Sequence, residues 1–125
     1  MNVIRQIRRG LGVGALSTLV ALASAVLPSA AVSAGTVEGM IGSLSQRAAD
    51  GLIVVYINGA NSGRAACAAG HVYWLVKDEN SNVDKGHYAM LLAAKLAGKT
   101  VRVVGLNTCT RWGDGEDINY IEILD

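Results

Sequence analysis

The sequence predicts a mainly β domain: a five-stranded barrel with one helix, stapled by one disulfide. Apolar segments with strand character recur after residue 35, and a single segment between them has the periodicity of a helix. The two cysteines, Cys67 and Cys109, lie on either side of that helical segment. The expected order of elements is β-β-β-α-β-β.

The first two strands are expected at 36–47 and 52–57, joined by an Asp-Gly hairpin signal. In the first strand the apolar alternation changes phase beside Gly42, which predicts a β-bulge. The second strand is apolar throughout, with Tyr56 on its outer side. A third strand, with large side chains on both faces, is expected at 71–76.

The helix is expected from about Asp84 to Ala97. Ser81 stands at capping-box spacing before Asp84, and Gly98 follows where a left-handed residue commonly ends a helix. An apolar stripe on this helix is expected to face the core; its members are Tyr88, Leu91, Leu92 and Leu96.

Two further strands are expected at 99–106 and 118–123, separated by a loop at 107–117. A helix between the third and fourth strands of a five-stranded coiled sheet is the arrangement of the OB-fold, a Greek-key barrel. A ferredoxin-like arrangement needs two helices, and only one helical segment is found. We therefore expect an OB-fold-like barrel whose open end is plugged by the helix.

Residues 1–34 are predicted to be a cleaved signal peptide. Three arginines precede an uncharged apolar run at 11–27, and the small residues at 31–34 suit a signal peptidase. A membrane anchor is the alternative, but the run is at the short end for a bilayer span. The prediction is a single domain at 35–125 without a membrane span, secreted or periplasmic after cleavage near Ala34.

Without the signal peptide, the chain has eight basic and ten acidic side chains, a formal charge of −2. This charge gives no electrostatic case for binding nucleic acid. The two cysteines would lie in an oxidising compartment, where a Cys67–Cys109 disulfide would stabilise the fold by about 4 kcal/mol. An intersubunit disulfide or two free thiols are the alternatives.

The most function-like cluster is Arg111, Trp112 and Asp114, in the predicted 107–117 loop. An indole stacks on a sugar ring, and the charged side chains take directional hydrogen bonds. The alternative is that Trp112 covers the disulfide at the end of the barrel. Trp74 is expected to be a core residue.

The sequence favours neither catalysis nor metal binding. The histidines, His71 and His87, are isolated, and no nucleophile motif of the G-x-S-x-G type is present. The acidic residues at 114–117 lack EF-hand spacing, and we interpret them as a solvated turn. We expect no enzyme activity, no cofactor and no metal.

Four segments together resemble the B subunits of bacterial AB5 toxins, of the subtilase cytotoxin type. They are the stretch from Gly63 to Ala68, the strand with Trp74, the Leu91-Leu92-Ala93-Ala94 helix and the run from Gly98 to Val103. The resemblance covers most of residues 35–125 and rests on the order and spacing of these segments, in a chain shorter than a typical toxin B subunit.

The resemblance implies an OB-fold, an intrachain disulfide, a homopentameric ring, recognition of cell-surface glycans and an A-type partner subunit. In those toxins a serine and an aromatic residue near the first two strands help to form the sugar pocket, and the candidates here are Ser43, Ser45 and Tyr56. The expected function is a non-enzymatic glycan-binding module. The alternative is a monomeric protein-binding or inhibitor module that uses an exposed edge strand and the 107–117 loop.

Overall fold

The computed structural model describes residues 33–125, in which five strands and one α-helix form. A short 3-10 turn at Ala66–Ala68 carries Cys67. The predicted order of elements is confirmed, and the signal peptide predicted at 1–34 lies outside the described residues except for Ser33 and Ala34. The elements are β1 (Thr36–Gln46), β2 (Ile53–Asn58), β3 (Tyr73–Leu75), α1 (Asn82–Ala97), β4 (Thr100–Gly105) and β5 (Glu116–Ile123).

The five strands close into a barrel in the order β1-β2-β3-β5-β4, with β4 pairing back onto β1. All pairs are antiparallel except β3 with β5. This order, with the helix between β3 and β4, is the OB-fold-like barrel that the sequence predicts. Within residues 33–125 each strand has two neighbours, so the expectation of an exposed edge strand is wrong. The described helix is too short and too polar to cross a membrane.

The predicted bulge in β1 is confirmed, and it attaches the helix to the barrel. The register of β1 against β2 shifts between Ile41 and Ser43. From the last turn of α1, Lys95 Nζ donates hydrogen bonds to the carbonyl oxygens of Ile41, at 2.9 Å, and Gly42, at 2.8 Å. The bulge therefore presents two acceptors that fix the C-terminal end of α1 against β1.

The barrel interior is filled by apolar side chains from every strand and from the helix. Trp74 is fully buried, which confirms its expected place in the core. The buried cluster consists of Val37, Ile41, Ile53, Val55, Ile57, Trp74, Val76, Leu91, Ala94, Val101, Val103, Ile118 and Ile121.

The helix begins and ends where its caps predict, but its buried face is not the predicted one. Ser81 Oγ accepts the N–H of Asp84 at 3.1 Å, and Gly98 has a left-handed φ of 63°. Leu91 is buried, whereas Leu92 and Leu96 are exposed, so the stripe prediction is wrong for those two residues. A four-residue step advances about 40° too far around a helix of 3.6 residues per turn, and a repeat of such steps leaves the core.

The carboxylate of Asp84 does not complete a capping box. It accepts the backbone N–H of Asp78 at 2.8 Å and lies 2.9 Å from His87 Nδ1. Asp84 therefore closes the loop that leads from β3 into the helix, which explains why an acidic side chain is buried there.

The predicted disulfide joins Cys67 to Cys109, with 6.3 Å between the two Cα atoms. Both alternatives, an intersubunit bridge and free thiols, are therefore wrong. The bridge links the β2–β3 loop to the β4–β5 loop, two segments that the strand ladders do not connect to each other directly.

Candidate ligand-binding face

The outer surface of β1, β2 and β3 carries exposed hydroxyl and aromatic side chains. Ser43 of β1 pairs with Tyr56 of β2, and Tyr56 pairs with Tyr73 of β3. The two tyrosine rings have their centroids 5.8 Å apart. Cross-strand neighbours project from the same face of a sheet, so these side chains form one surface. With Ser45, two residues further along β1, they are called the aromatic face below.

The phenol of Tyr73 is tied to Asp114 of the β4–β5 loop. Tyr73 Oη donates a hydrogen bond to Asp114 Oδ1, and His71 Nε2 lies 3.5 Å from Asp114 Oδ2. The pKa of Tyr73 is raised to about 12, mainly by burial and secondly by this hydrogen bond. The phenol therefore keeps its proton at neutral pH. The side chain of Asp114 is 43% exposed, which leaves it able to accept hydrogen bonds from a ligand.

Gly115 allows the β4–β5 loop to lie directly on the outer side of β3. A Cβ atom at this position would be 2.5 Å from Tyr73 Cε2 and 2.7 Å from Leu75 Cδ1. Only glycine permits such a close approach of the backbone. The approach places Asp114 beside Tyr73 and covers Leu75, which is buried although it points outward from the sheet.

Asp117 shapes the first part of the β4–β5 loop. Its carboxylate accepts the hydroxyl of Thr108 at 2.8 Å, the hydroxyl and backbone N–H of Thr110 at 2.7 Å each, and the N–H of Arg111 at 3.1 Å. Burial raises the pKa of Asp117, but the hydrogen bonds from Thr110 and Thr108 outweigh it, so the pKa is lowered. The ionised carboxylate holds this part of the loop in place.

Glu116, the neighbour of Asp117 in β5, accepts a second set of hydrogen bonds. Its oxygens accept the backbone N–H groups of Gly35 at 2.9 Å, Ala65 at 2.9 Å and Asn107 at 3.1 Å. Glu116 and Asp117 are both 0% exposed. The interpretation of 114–117 as a solvated turn is therefore wrong for these two residues, because protein hydrogen-bond donors replace water around both carboxylates.

Arg111 connects three loops. Its Nε donates to both oxygens of Glu79, at 2.8 and 3.1 Å, and its Nη2 donates to the backbone oxygen of Asp50 at 3.0 Å. The side chain is only 18% exposed. Most of its donors are taken, so Arg111 braces the β4–β5 loop against the β1–β2 and β3–α1 loops.

Trp112 lies against the β1–β2 hairpin and remains 45% exposed. The guanidinium of Arg47 stands 4.5 Å from the centre of the indole. Arg47 is held in turn by Asp50, with N–O distances of 2.7 and 2.6 Å. The hydrogen bond from Arg47 keeps the pKa of Asp50 well below its usual range. Trp112 and Arg47 form an exposed cation–π pair at the rim of the barrel.

Three of the predicted candidates belong to the aromatic face, namely Ser43, Ser45 and Tyr56, and Asp114 adjoins it. The other two, Arg111 and Trp112, contact the β1–β2 hairpin instead. Sequence reasoning missed the participation of Tyr73. The alternation of β3 could have found it, because a core Trp74 requires the neighbouring Tyr73 to point outward.

No pocket is found among residues 33–125, so this candidate site is an open surface. The same residues contain no group of histidine, cysteine or acidic side chains arranged to hold a metal ion.

Comparisons with models of protein families, with curated proteins and with solved structures found no match for this chain. The OB-fold-like architecture is shown by the strand order and the position of the helix.

Proposed function

We propose that this protein is an exported, non-enzymatic module that binds carbohydrate on its aromatic face. The observation that carries the proposal is the Tyr56–Tyr73 pair, in which Tyr56 is exposed and Tyr73 is half-buried, with Ser43 beside one ring and Asp114 beside the other. Aromatic rings pack against the C–H faces of sugars, and hydroxyl and carboxylate groups take the directional hydrogen bonds that sugar hydroxyls offer.

A fold-level analogy supports the same face. OB-folds bind oligosaccharides and oligonucleotides on strands 2 and 3, together with the loops after strands 1 and 4. In this chain those elements carry the aromatic face, Trp112 and Arg47. The charge of −2 on residues 35–125 favours sugars over the polyanionic backbone of nucleic acids. Because one fold serves many functions, the analogy counts for less than the tyrosine pair.

An open surface gains little affinity from a single sugar, so useful binding calls for several sites on one particle. This requirement agrees with the homopentameric ring implied by the resemblance to AB5 toxin B subunits, and the proposal includes that assembly. A larger chain that co-purifies with the pentamer would extend the proposal to an A-type subunit.

The test is a glycan array probed with the exported protein, compared with Tyr56→Ala and with Tyr120→Ala. Tyr120 is a matched control because it is a comparably exposed tyrosine, 48% against 40%, on β5. We expect Tyr56→Ala to weaken binding by about tenfold, roughly 1.4 kcal/mol, and Tyr120→Ala to bind normally. Equal losses in both variants, or no glycan bound by the wild type, would contradict the proposal.

The second candidate is a monomeric protein-binding or inhibitor module. The closed barrel removes the edge strand on which this alternative was partly based, so the exposed Trp112 on the β4–β5 loop is the observation that favours it. Its signature would be a monomer by light scattering that retains one stoichiometric protein partner and loses it in Trp112→Ala.

A further inference from the structure

Glu116 is a fully buried carboxylate whose one recorded ion-pair partner among the described residues, Arg64, does not hydrogen-bond to it. It accepts three backbone N–H groups, one of them from Gly35 at 2.9 Å. The nearest guanidinium nitrogen, Nε of Arg64, is 3.7 Å from Glu116 Oε2. Within residues 33–125, Nε and Nη1 of Arg64 have no hydrogen-bond acceptor. A buried carboxylate is stabilised best by a cation in direct hydrogen bonding, and Arg64 supplies its charge only from beyond that distance.

Among the described residues, hydrogen bonds to the barrel begin at Gly35. The oxygen of Gly35 accepts the N–H of Gly105 at 2.8 Å, and Thr36 exchanges backbone hydrogen bonds with Ser62. Ser33 and Ala34, by contrast, make one hydrogen bond within residues 33–125, and it is between themselves. A Cβ atom at Gly35 would lie 2.4 Å from Glu116 Oε2 and 2.9 Å from Trp74 Cη2, so the position accepts only glycine.

We propose that the Ala34–Gly35 peptide bond is hydrolysed during export and that the new α-ammonium group of Gly35 forms an ion pair with Glu116. Water adds across the C–N bond, which leaves a carboxylate on Ala34 and a protonated amine on Gly35. The small residues at 31–34 are those that a signal peptidase accepts, and cleavage there removes no hydrogen bond from the barrel.

The ion pair has a pH dependence of definite sign. An unperturbed α-amino group has a pKa of about 7.7–8.0. Two charged groups face it, Glu116 from β5 and Arg64 from the β2–β3 loop, and Glu116 is the one in direct contact. Burial of Gly35 and the charge of Arg64 favour the neutral amine, whereas direct contact with the Glu116 carboxylate favours the ammonium. We expect the contact with Glu116 to outweigh the other two, so that the pKa of the amino group is raised in the folded protein. Its contribution to stability is fully present below pH 7.7 and is lost as the pH rises through the folded pKa.

The first measurement is the intact mass of the exported product of the full-length chain, which should equal residues 35–125 with the disulfide formed. The second is urea unfolding from pH 7 to pH 10 for the wild type, Glu116→Gln and Glu122→Gln. Glu122 is the matched control because it is a partly exposed carboxylate on the same strand. Over this range we expect the folding equilibrium constant of the wild type and of Glu122→Gln to fall about tenfold more than that of Glu116→Gln, which corresponds to a one-unit pKa shift.

Direct titration decides the question if Glu116→Gln fails to fold. The α-amino nitrogen of ¹⁵N-glycine-labelled wild-type protein should titrate above pH 8 by NMR. A value at or below 8, a product that begins at another residue, or equal pH profiles in the wild type and Glu116→Gln would each overturn the proposal. The inference shares with the proposed function only the export of the protein. None of these measurements depends on glycan binding, so their failure and a failure of carbohydrate binding can be told apart.

Discussion

Two outer surfaces of the same barrel use their polar side chains in opposite ways. On β1, β4 and β5, Arg102 bonds Glu38 at 3.0 Å and Glu122 at 2.8 Å, and these three residues are cross-strand neighbours. These three side chains, called the charged face below, form ion pairs with one another. The aromatic face, by contrast, presents the 40% exposed ring of Tyr56 instead of paired charges. The comparison favours the aromatic face as the surface that would contact a ligand.

The two surfaces also differ in how their surroundings are fixed. The disulfide, Asp117 and Arg111 all act on the β4–β5 loop, which borders the aromatic face. The charged face lies on paired strands, and within residues 33–125 no disulfide borders it. A binding surface gains affinity when its shape is set before the ligand arrives, so these restraints lie where a recognition function needs them.

The largest effect is expected from removing the covalent restraint. Replacing both Cys67 and Cys109 by serine should lower the free energy of unfolding by about 4 kcal/mol, because the closed loop spans 42 residues. Urea unfolding of the double variant and of wild type measures the difference. Reduction of the wild type by dithiothreitol should reproduce it, and a loss below about 1 kcal/mol by both routes would show that the β4–β5 loop is held mainly by Asp117 and Arg111.

The next largest effect is expected from Asp117→Ala, which should lower the free energy of unfolding by about 3 kcal/mol at pH 7, because the donors of Thr110 and Arg111 lose their fully buried acceptor. The lowered pKa of Asp117 fixes the sign of the pH dependence. Its stabilisation is present above the unfolded pKa of about 3.9 and is lost as the pH falls through the folded value.

Unfolding of Asp117→Ala and wild type at pH 7 and pH 3 measures both effects. The difference in the free energy of unfolding between wild type and Asp117→Ala should be smaller at pH 3 than at pH 7. Thr108→Val, which removes one of the four hydrogen bonds, is a graded control, and its free energy of unfolding should lie between those of wild type and Asp117→Ala. A gap that stays constant with pH would mean that the charge of Asp117 contributes nothing.

Features that depend on nearby residues could be predicted from the sequence. Ser81 and Gly98 mark the ends of α1 by local backbone chemistry, and the phase change beside Gly42 marks the bulge by alternation alone. The Cys67–Cys109 bridge followed from there being two cysteines and an oxidising compartment. In each case the physical cause lies within a few residues or in a simple count.

Features that depend on distant partners could not be predicted. Glu116 is buried because Gly35 and Ala65, far away in the chain, supply its donors. The pairing of Tyr56 with Tyr73 requires the register of β2 against β3, which the loop between them conceals. Closure of the barrel by the parallel pairing of β3 with β5 could not be predicted either, because the alternation within a strand does not show which other strand it pairs with.

The smallest effect is expected on the charged face, and it completes the comparison. Arg102→Gln removes the centre of an ion-pair cluster whose side chains are 38–52% exposed, where water and salt already screen the charges. We expect a shift of the urea midpoint close to experimental error, smaller still in 0.5 M sodium chloride, and unchanged glycan binding. A loss of stability as large as that of Asp117→Ala would show that the barrel closure between β1 and β4 depends on these charges. A loss of glycan binding would place the ligand on this face instead of the aromatic one.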